Sequence, residues 1–125
     1  MANPPVSVGV DIVEIERVEE LLRQHGERFL ERVYTPAETA FCRGRPAELA
    51  ARFAGKEAIL KALGTGRRGV GWREVEIIAD LRGKPHVRLH GRAAERAQAL
   101  GLAHFAISLS HSRDFAVASV VAIRF

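Results

Sequence analysis

Two carboxylates and two lysines are the residues that could do chemistry in this chain. Asp11 closes an apolar run, and Glu57 sits in an Ala-rich segment with Lys56 before it and Lys61 one helical turn on. If the fold brings Asp11 and Glu57 together, two carboxylates completed by phosphate oxygens and water suit Mg²⁺, which takes oxygen ligands in near-octahedral geometry and keeps several waters. That would make a site for phosphoryl chemistry. A plainer reading stands beside it, in which Glu57 and Lys61 form an i,i+4 surface ion pair worth ~0.3–0.5 kcal/mol. Lys56 falls inside the apolar arc formed by Leu49, Phe53, Ile59, Leu60 and Leu63. A lysine there either snorkels to the surface or marks a functional break in the pattern.

Other constellations are weaker. Ser110, His111 and Asp114 lie within five positions, a spacing that rarely reaches hydrolase-triad geometry, and no G-x-S-x-G elbow is present. His86 and His90 share one face of an expected strand but lack a third ligand nearby, so alternation with Val87 and Leu89 explains them as solvent-facing. The only cysteine, Cys42, excludes an intrachain disulfide and a thiol metal cluster, and it is expected to be a buried small hydrophobe.

The elements that must position these residues follow from pattern. The β-branched run from Val6 to Val13 predicts a strand of about six residues with Asp11 at its end. From Glu14 the period changes to that of a helix, with Ile15, Val18, Leu21 and Leu22 on one face, stopping at His25-Gly26. Short helical pieces are expected over residues 29–33 and 37–41, the second opened by Thr35 as N-cap, Pro36 at the first helical position and Glu38 behind it. The longest helix is expected over residues 47–63, closed by Gly64, with a basic loop after it. Residues 75–78 and 86–89 read as one hairpin, residues 92–100 as a helix, and residues 105–110 and 115–123 as a second hairpin around the turn His111-Ser112-Arg113-Asp114. The whole predicts a single α+β domain over residues 1–125, an antiparallel sheet with helices packed on one face.

Composition narrows the class. A chain of 125 residues with 47% apolar content can bury its own core. Residues 1–5 lack the pattern of a signal peptide and no apolar stretch is long enough to span a bilayer, so a cytoplasmic protein with no membrane partner is expected. The balance of 19 Lys+Arg against 15 Asp+Glu favours anionic partners. Aromatics are only 6% of residues, and no strand alternates aromatic with basic residues, which argues against a nucleic-acid partner.

Two segments then carry a resemblance. Gly9-Val10-Asp11-Ile12-Val13-Glu14-Ile15 and Arg52-Phe53-Ala54-Gly55-Lys56-Glu57-Ala58-Ile59-Leu60-Lys61-Ala62-Leu63-Gly64-Thr65-Gly66 resemble the two signature motifs of the holo-acyl-carrier-protein synthases, the small class of 4′-phosphopantetheinyl transferases. Gly83-Lys84-Pro85 and Ser108-Leu109-Ser110-His111-Ser112 match further family segments in the same order, so the resemblance covers essentially the whole chain. It implies transfer of 4′-phosphopantetheine from coenzyme A to a serine of apo-acyl carrier protein, with release of adenosine 3′,5′-bisphosphate. It implies Asp11 and Glu57 as Mg²⁺ ligands, Lys61 near the phosphates, and Lys56 either near the phosphates too or holding Glu57 in register. Glu57 is favoured as the base acting through water. The resemblance further implies Arg52 at the 3′-phosphate, Gly64, Thr65, Gly66 and His111 as cofactor contacts, and Arg17 docking the carrier with Arg23 and Arg28 as neighbours. Gly64 would also serve as a helix cap without any ligand. The family is homotrimeric with sites between subunits, and the same assembly is implied here.

Overall fold

The computed structural model of the protein describes residues 4–124. Residues 1–3, part of the segment read as lacking a signal peptide, lie outside the described residues. In chain order the elements are β1 Val6–Glu14, α1 Ile15–His25, α2 Glu27–Val33, α3 Pro36–Cys42, α4 Pro46–Leu63, a 3₁₀ turn Trp72–Glu74, β2 Val75–Ala79, β3 Pro85–Leu89, α5 Gly91–Leu100, β4 Leu102–His111 and β5 Phe115–Arg124. Every expected element forms, and the differences lie at the ends. β1 extends to Glu14, so Asp11 sits inside the strand and not at its end, and His111 is the last residue of β4 and not part of the turn. Both extensions follow from cross-strand pairing, which a run of side chains does not display: Glu14 pairs with Phe115 and His111 with Ala116.

The strands form two antiparallel sheets, β1-β5-β4 and the separate hairpin β2-β3. One face of the three-stranded sheet packs on α4, where small side chains let the backbones approach. A Cβ on Gly9 would lie 1.9 Å from the carbonyl oxygen of Ala58, and one on Gly55 would lie 2.4 Å from Cδ1 of Ile77. A glycine inside a strand marks such a close approach. Ser7 Oγ adds a 2.6 Å hydrogen bond to the Ala62 carbonyl. α4 is therefore buried well beyond the arc expected for an amphipathic helix, with Ala50, Ala51, Ala54, Ala58 and Ala62 enclosed as fully as Leu49, Ile59, Leu60 and Leu63.

Among the described residues nothing covers the other face of that sheet. Val8, Val10 and Ile12 of β1 are 60% or more exposed, and Val117 and Val121 of β5 stand beside them in register. Helices thus pack on one face of the sheet, and the second face is a continuous apolar surface.

Two details of the helices match their sequence signals. Thr35 Oγ1 accepts from Glu38 N–H at 3.3 Å while Glu38 Oε1 accepts from Thr35 N–H at 2.9 Å, the reciprocal capping box. Gly64 ends α4 at φ +73°, the left-handed conformation that favours glycine. Cys42 is buried, as expected.

Candidate active site

β1 and α4 bring the two carboxylates to one edge. With Gly9 against Ala58, Asp11 two residues along β1 comes to the face of α4 that carries Glu57 and Lys61. Lys61 Nζ donates to Asp11 Oδ1 at 3.0 Å and to the Val10 carbonyl at 2.9 Å. Lys61 thus ties strand to helix, in place of a surface pair with Glu57. Burial, and then the charge of Asp11, push the Glu57 carboxyl above the ordinary carboxylate range, against the pull of Lys61, Arg67 and Arg17. Two half-buried carboxylates that repel one another are a place where a dication is favourable.

The donor set fits Mg²⁺. Both donors are hard oxygens, and among the described residues no cluster of three or more His, Cys, Asp or Glu forms, so a cation held by this pair keeps open positions for water and phosphate. Thr65 and Gly66 follow Gly64 at the end of α4, with Thr65 Oγ1 donating to the Gly66 carbonyl at 2.9 Å. Gly66, at φ +56°, leaves open space where a side chain would stand.

Lys56 does something else. Its ammonium is fully buried, 2.7 Å from Glu38 Oε1, and donates to the carbonyls of Val75 at 2.7 Å and Trp72 at 3.1 Å. With three acceptors taken and no exposure, it has no proton left for a phosphate, which corrects the expectation of a cofactor contact. Snorkelling is not its role either. Burial pulls its ammonium down from the ordinary value, and Glu38 opposes that pull. Glu38 also accepts from Ile77 N–H at 2.8 Å, so this buried ion pair joins α3, α4 and β2.

Arg52 and His111 meet in a second place, a cavity of about 230 Å³ that Phe41, Glu48 and the Gly83 and Pro85 turn also line. Arg52 is 3% exposed, donates to Glu48 Oε2 at 3.1 Å, and stacks over Phe41 with its guanidinium carbon 4.1 Å from the ring centroid. Its Nε is the one buried side-chain nitrogen or oxygen without a partner among the described residues, an unmet donor that suits an anion. His111 stands 3.9 Å from Glu48 Oε1. Consecutive strand residues face opposite ways, so Ser110 and His111 cannot form the proton-transfer pair of a triad. His86 and His90 pair separately with Asp80 and Glu76 and share no metal geometry.

The two half-sites lie on different flanks of α4. Arg52 and Glu57 are about 140° apart round the helix. Asp11 and His111 lie on β1 and β4 with β5 between them and are offset by two residues, roughly 12 Å apart at ordinary strand spacing and rise.

Of the expected carrier contacts, Arg17 is exposed on α1 and its charge reaches Glu57. Arg23 lines a different hollow with Glu14, Glu16, Glu19 and Asp114. Arg28 borders a groove of about 360 Å³ with an apolar floor of Leu21, Phe29, Phe53 and Trp72 and a basic rim completed by His25 and Arg32. Sequence reasoning missed this groove. Phe53 and Trp72 lie nineteen positions apart and meet only in the fold, with ring centroids 5.0 Å apart.

The chain is similar to known proteins of one kind. The holo-[acyl-carrier-protein] synthase of Herpetosiphon aurantiacus is 49% identical over 120 residues, covering 90% of this chain and 94% of its own. That of Halorhodospira halophila is also 49% identical, with 93% and 95% covered. The crystal structure of Helicobacter pylori holo-[acyl-carrier-protein] synthase in complex with coenzyme A matches with a TM-score of 0.85 at 31% identity, over 92% of this chain and 98% of that one. The Neisseria meningitidis enzyme matches at 0.86 and 36%, over 94% and 98%. The family model of the 4′-phosphopantetheinyl transferase superfamily aligns with residues 7–120, a span that takes in β1 from its second residue, α4 and every residue of both half-sites, and the chain belongs to that superfamily.

Proposed function

We infer that this protein is a holo-acyl-carrier-protein synthase, transferring 4′-phosphopantetheine from coenzyme A to a serine of apo-acyl carrier protein and releasing adenosine 3′,5′-bisphosphate. The observation that carries the reading is the Asp11–Glu57–Lys61 edge, built by the close contact of β1 with α4 in a chain of this family.

Asp11 and Glu57 would hold Mg²⁺ against the pyrophosphate. When bound there, the ion offsets the charge that develops on the phosphoryl oxygens. Lys61 supplies a cation beside the same oxygens, and the backbone around Gly64, Thr65 and Gly66 leaves room for a phosphate to approach. Arg52, with its unmet Nε donor, and His111 take the 3′-phosphate. The serine oxygen attacks the β-phosphorus, the bond from that phosphorus to the bridging oxygen breaks, and the nucleotide leaves. Glu57, at the same edge as the reacting phosphorus, is the residue we assign as the base that receives the serine proton through water.

The basic groove beside this edge suits an acidic helical carrier, with Arg17 and Arg28 on its approach and Arg23 further round α1. The uncovered valine and isoleucine face supports self-association, and a homotrimer would let one protomer's Arg52 and His111 meet a neighbour's Asp11 and Glu57. Among the described residues no helix is long and apolar enough to cross a membrane, and we place the enzyme in the cytoplasm, in lipid metabolism.

The test is incubation with coenzyme A, Mg²⁺ and apo-acyl carrier protein, with and without chelator, followed by intact mass of the carrier. A chelator-sensitive gain of one phosphopantetheine is expected. No gain on any carrier would overturn the reading.

A further inference from the structure

The cavity that gathers Arg52 and His111 also holds a negative charge, which an anion site does not need. Of the residues lining it, Glu48 alone carries a carboxylate. Its Oε2 accepts from Arg52 Nη1 at 3.1 Å, and its Oε1 stands 3.9 Å from Nε2 of His111. One carboxylate therefore spans the two groups assigned above to the 3′-phosphate. Among the described residues Glu48 is the only ion-pair partner of Arg52, whose other neighbour is the ring of Phe41. Arg45, which also faces that ring, is spent on the carbonyls of Phe41 and Cys42.

A simpler role exists for Glu48. It lies in the first turn of α4, where an acidic side chain suits the helix dipole, and it pairs with Arg52 four residues on. That role explains the pair but not why the same carboxylate reaches toward His111 inside a cavity. Burial decides what the pair means for a ligand. The Arg52 side chain is 4% exposed and that of Glu48 28%, so the guanidinium is fixed in the wall and the carboxylate faces the opening. Without Glu48, a buried cation would stand unpaired in the free enzyme. A phosphate entering the cavity claims the same donors, and binding becomes the exchange of one anion for another. The exchange weakens the hold on the 3′-phosphate by what Glu48 already supplied. Adenosine 3′,5′-bisphosphate keeps that phosphate after transfer, so the exchange also favours its departure.

We propose that Glu48 is an internal stand-in for the 3′-phosphate, pairing with Arg52 and His111 in the free enzyme and reclaiming them as the nucleotide product leaves. This rests on the holo-acyl-carrier-protein synthase reading and its assignment of Arg52 and His111.

The test is calorimetric titration of the wild type, Glu48→Gln and Glu48→Ala with adenosine 3′,5′-bisphosphate and with adenosine 5′-phosphate, alongside thermal unfolding with and without the bisphosphate. Glu48→Gln removes the charge and keeps an oxygen that can accept from Arg52, so the guanidinium retains its orientation. It should bind the bisphosphate roughly tenfold more tightly than the wild type, the size of one charge-assisted hydrogen bond no longer exchanged, with adenosine 5′-phosphate binding unchanged. Glu48→Ala should bind at least as tightly as Glu48→Gln. Both variants should melt below the wild type when free, and saturating bisphosphate should narrow that gap, because the ligand then supplies the missing anion. Weaker bisphosphate binding in both variants would overturn the proposal and make Glu48 a support for Arg52. Unchanged binding with a lower Tm would overturn it in favour of a helix pair alone, and equal tightening for both nucleotides would reduce it to a general charge effect. These titrations need no turnover. Absence of transfer on any carrier, with bisphosphate binding as expected, would count against the function reading and leave the stand-in role standing.

Discussion

Replacing Lys56 by methionine should unfold the protein more readily while leaving coenzyme A affinity of the folded enzyme intact. Methionine keeps the length of the stem and removes the charge. Left behind would be a Glu38 carboxylate 1% exposed, now without the ammonium 2.7 Å from one of its oxygens, and two carbonyls at Val75 and Trp72 that lose their donor. Removing one partner of a buried pair costs about 3–5 kcal/mol. Glu38 would still accept from Thr35 and Ile77 N–H, which places the loss toward the lower end of that range. For a domain of this size that is a fall in Tm of about 10–15 °C. The Lys56→Met/Glu38→Gln double variant removes the orphaned charge and should recover part of the loss, so a cycle of the two single variants and the double should give a coupling of roughly 1–3 kcal/mol. Urea and thermal unfolding give these values, and calorimetric titration with coenzyme A gives the affinity. A variant of wild-type stability that binds coenzyme A weakly would refute the argument and return Lys56 to the phosphates.

Gly9→Ala places a Cβ against the backbone oxygen of Ala58, which cannot swing aside, so β1 should shift off α4. Loss of transfer and a fall of several degrees in Tm are expected, and an active, stable variant would show the contact to be slack. Asp11→Asn and Glu57→Gln should each lower kcat by a hundredfold or more, about 3 kcal/mol, with circular dichroism and Tm near wild type. Unchanged turnover in either would remove that residue from the site. Val8→Glu, in the middle of the uncovered face, should yield monomers by light scattering; an assembly unaffected by it would locate the interface elsewhere. Burial pushes the Cys42 thiol up to about 11, so the native protein should resist thiol reagents at pH 8 and react only on unfolding. Because the folded state holds this proton above the thiol's ordinary pKa of 9.0, its stabilising contribution is complete below pH 9 and is lost as pH rises through about 11, which denaturation at a series of pH values would show.

Local physics was legible in the chain itself. Periodicity, composition and turn residues predict every α-helix and strand but not the 3₁₀ turn Trp72–Glu74, the Thr35-Pro36 and Glu38 spacing predicts a capping box, and Gly64 predicts the left-handed cap. These features are decided by a residue and its near neighbours, which sequence displays directly. The two motifs also identified Asp11, Glu57 and Lys61 by resemblance, but no spacing rule could show that a strand residue and a helix residue 46 positions later share one edge. That required Gly9 to fit against Ala58 and β1 to pair with β5, the last strand of the chain. Lys56 is the clearest case of tertiary decision. Its partner Glu38 is declared by sequence only as a helix cap, and burial by α3 and β2 turns both into a structural ion pair. Arg67 and Trp72 likewise look like ordinary loop residues until folding sets Arg67 over Trp72 and Trp72 against Phe53. Sequence by itself determined the elements, their caps and the chemical types available, because those follow from short-range sterics and hydrogen bonding. Only the tertiary structure decided which charges were consumed in the core and which were left facing a cleft, because desolvation and partner distance are properties of packed elements and not of the chain.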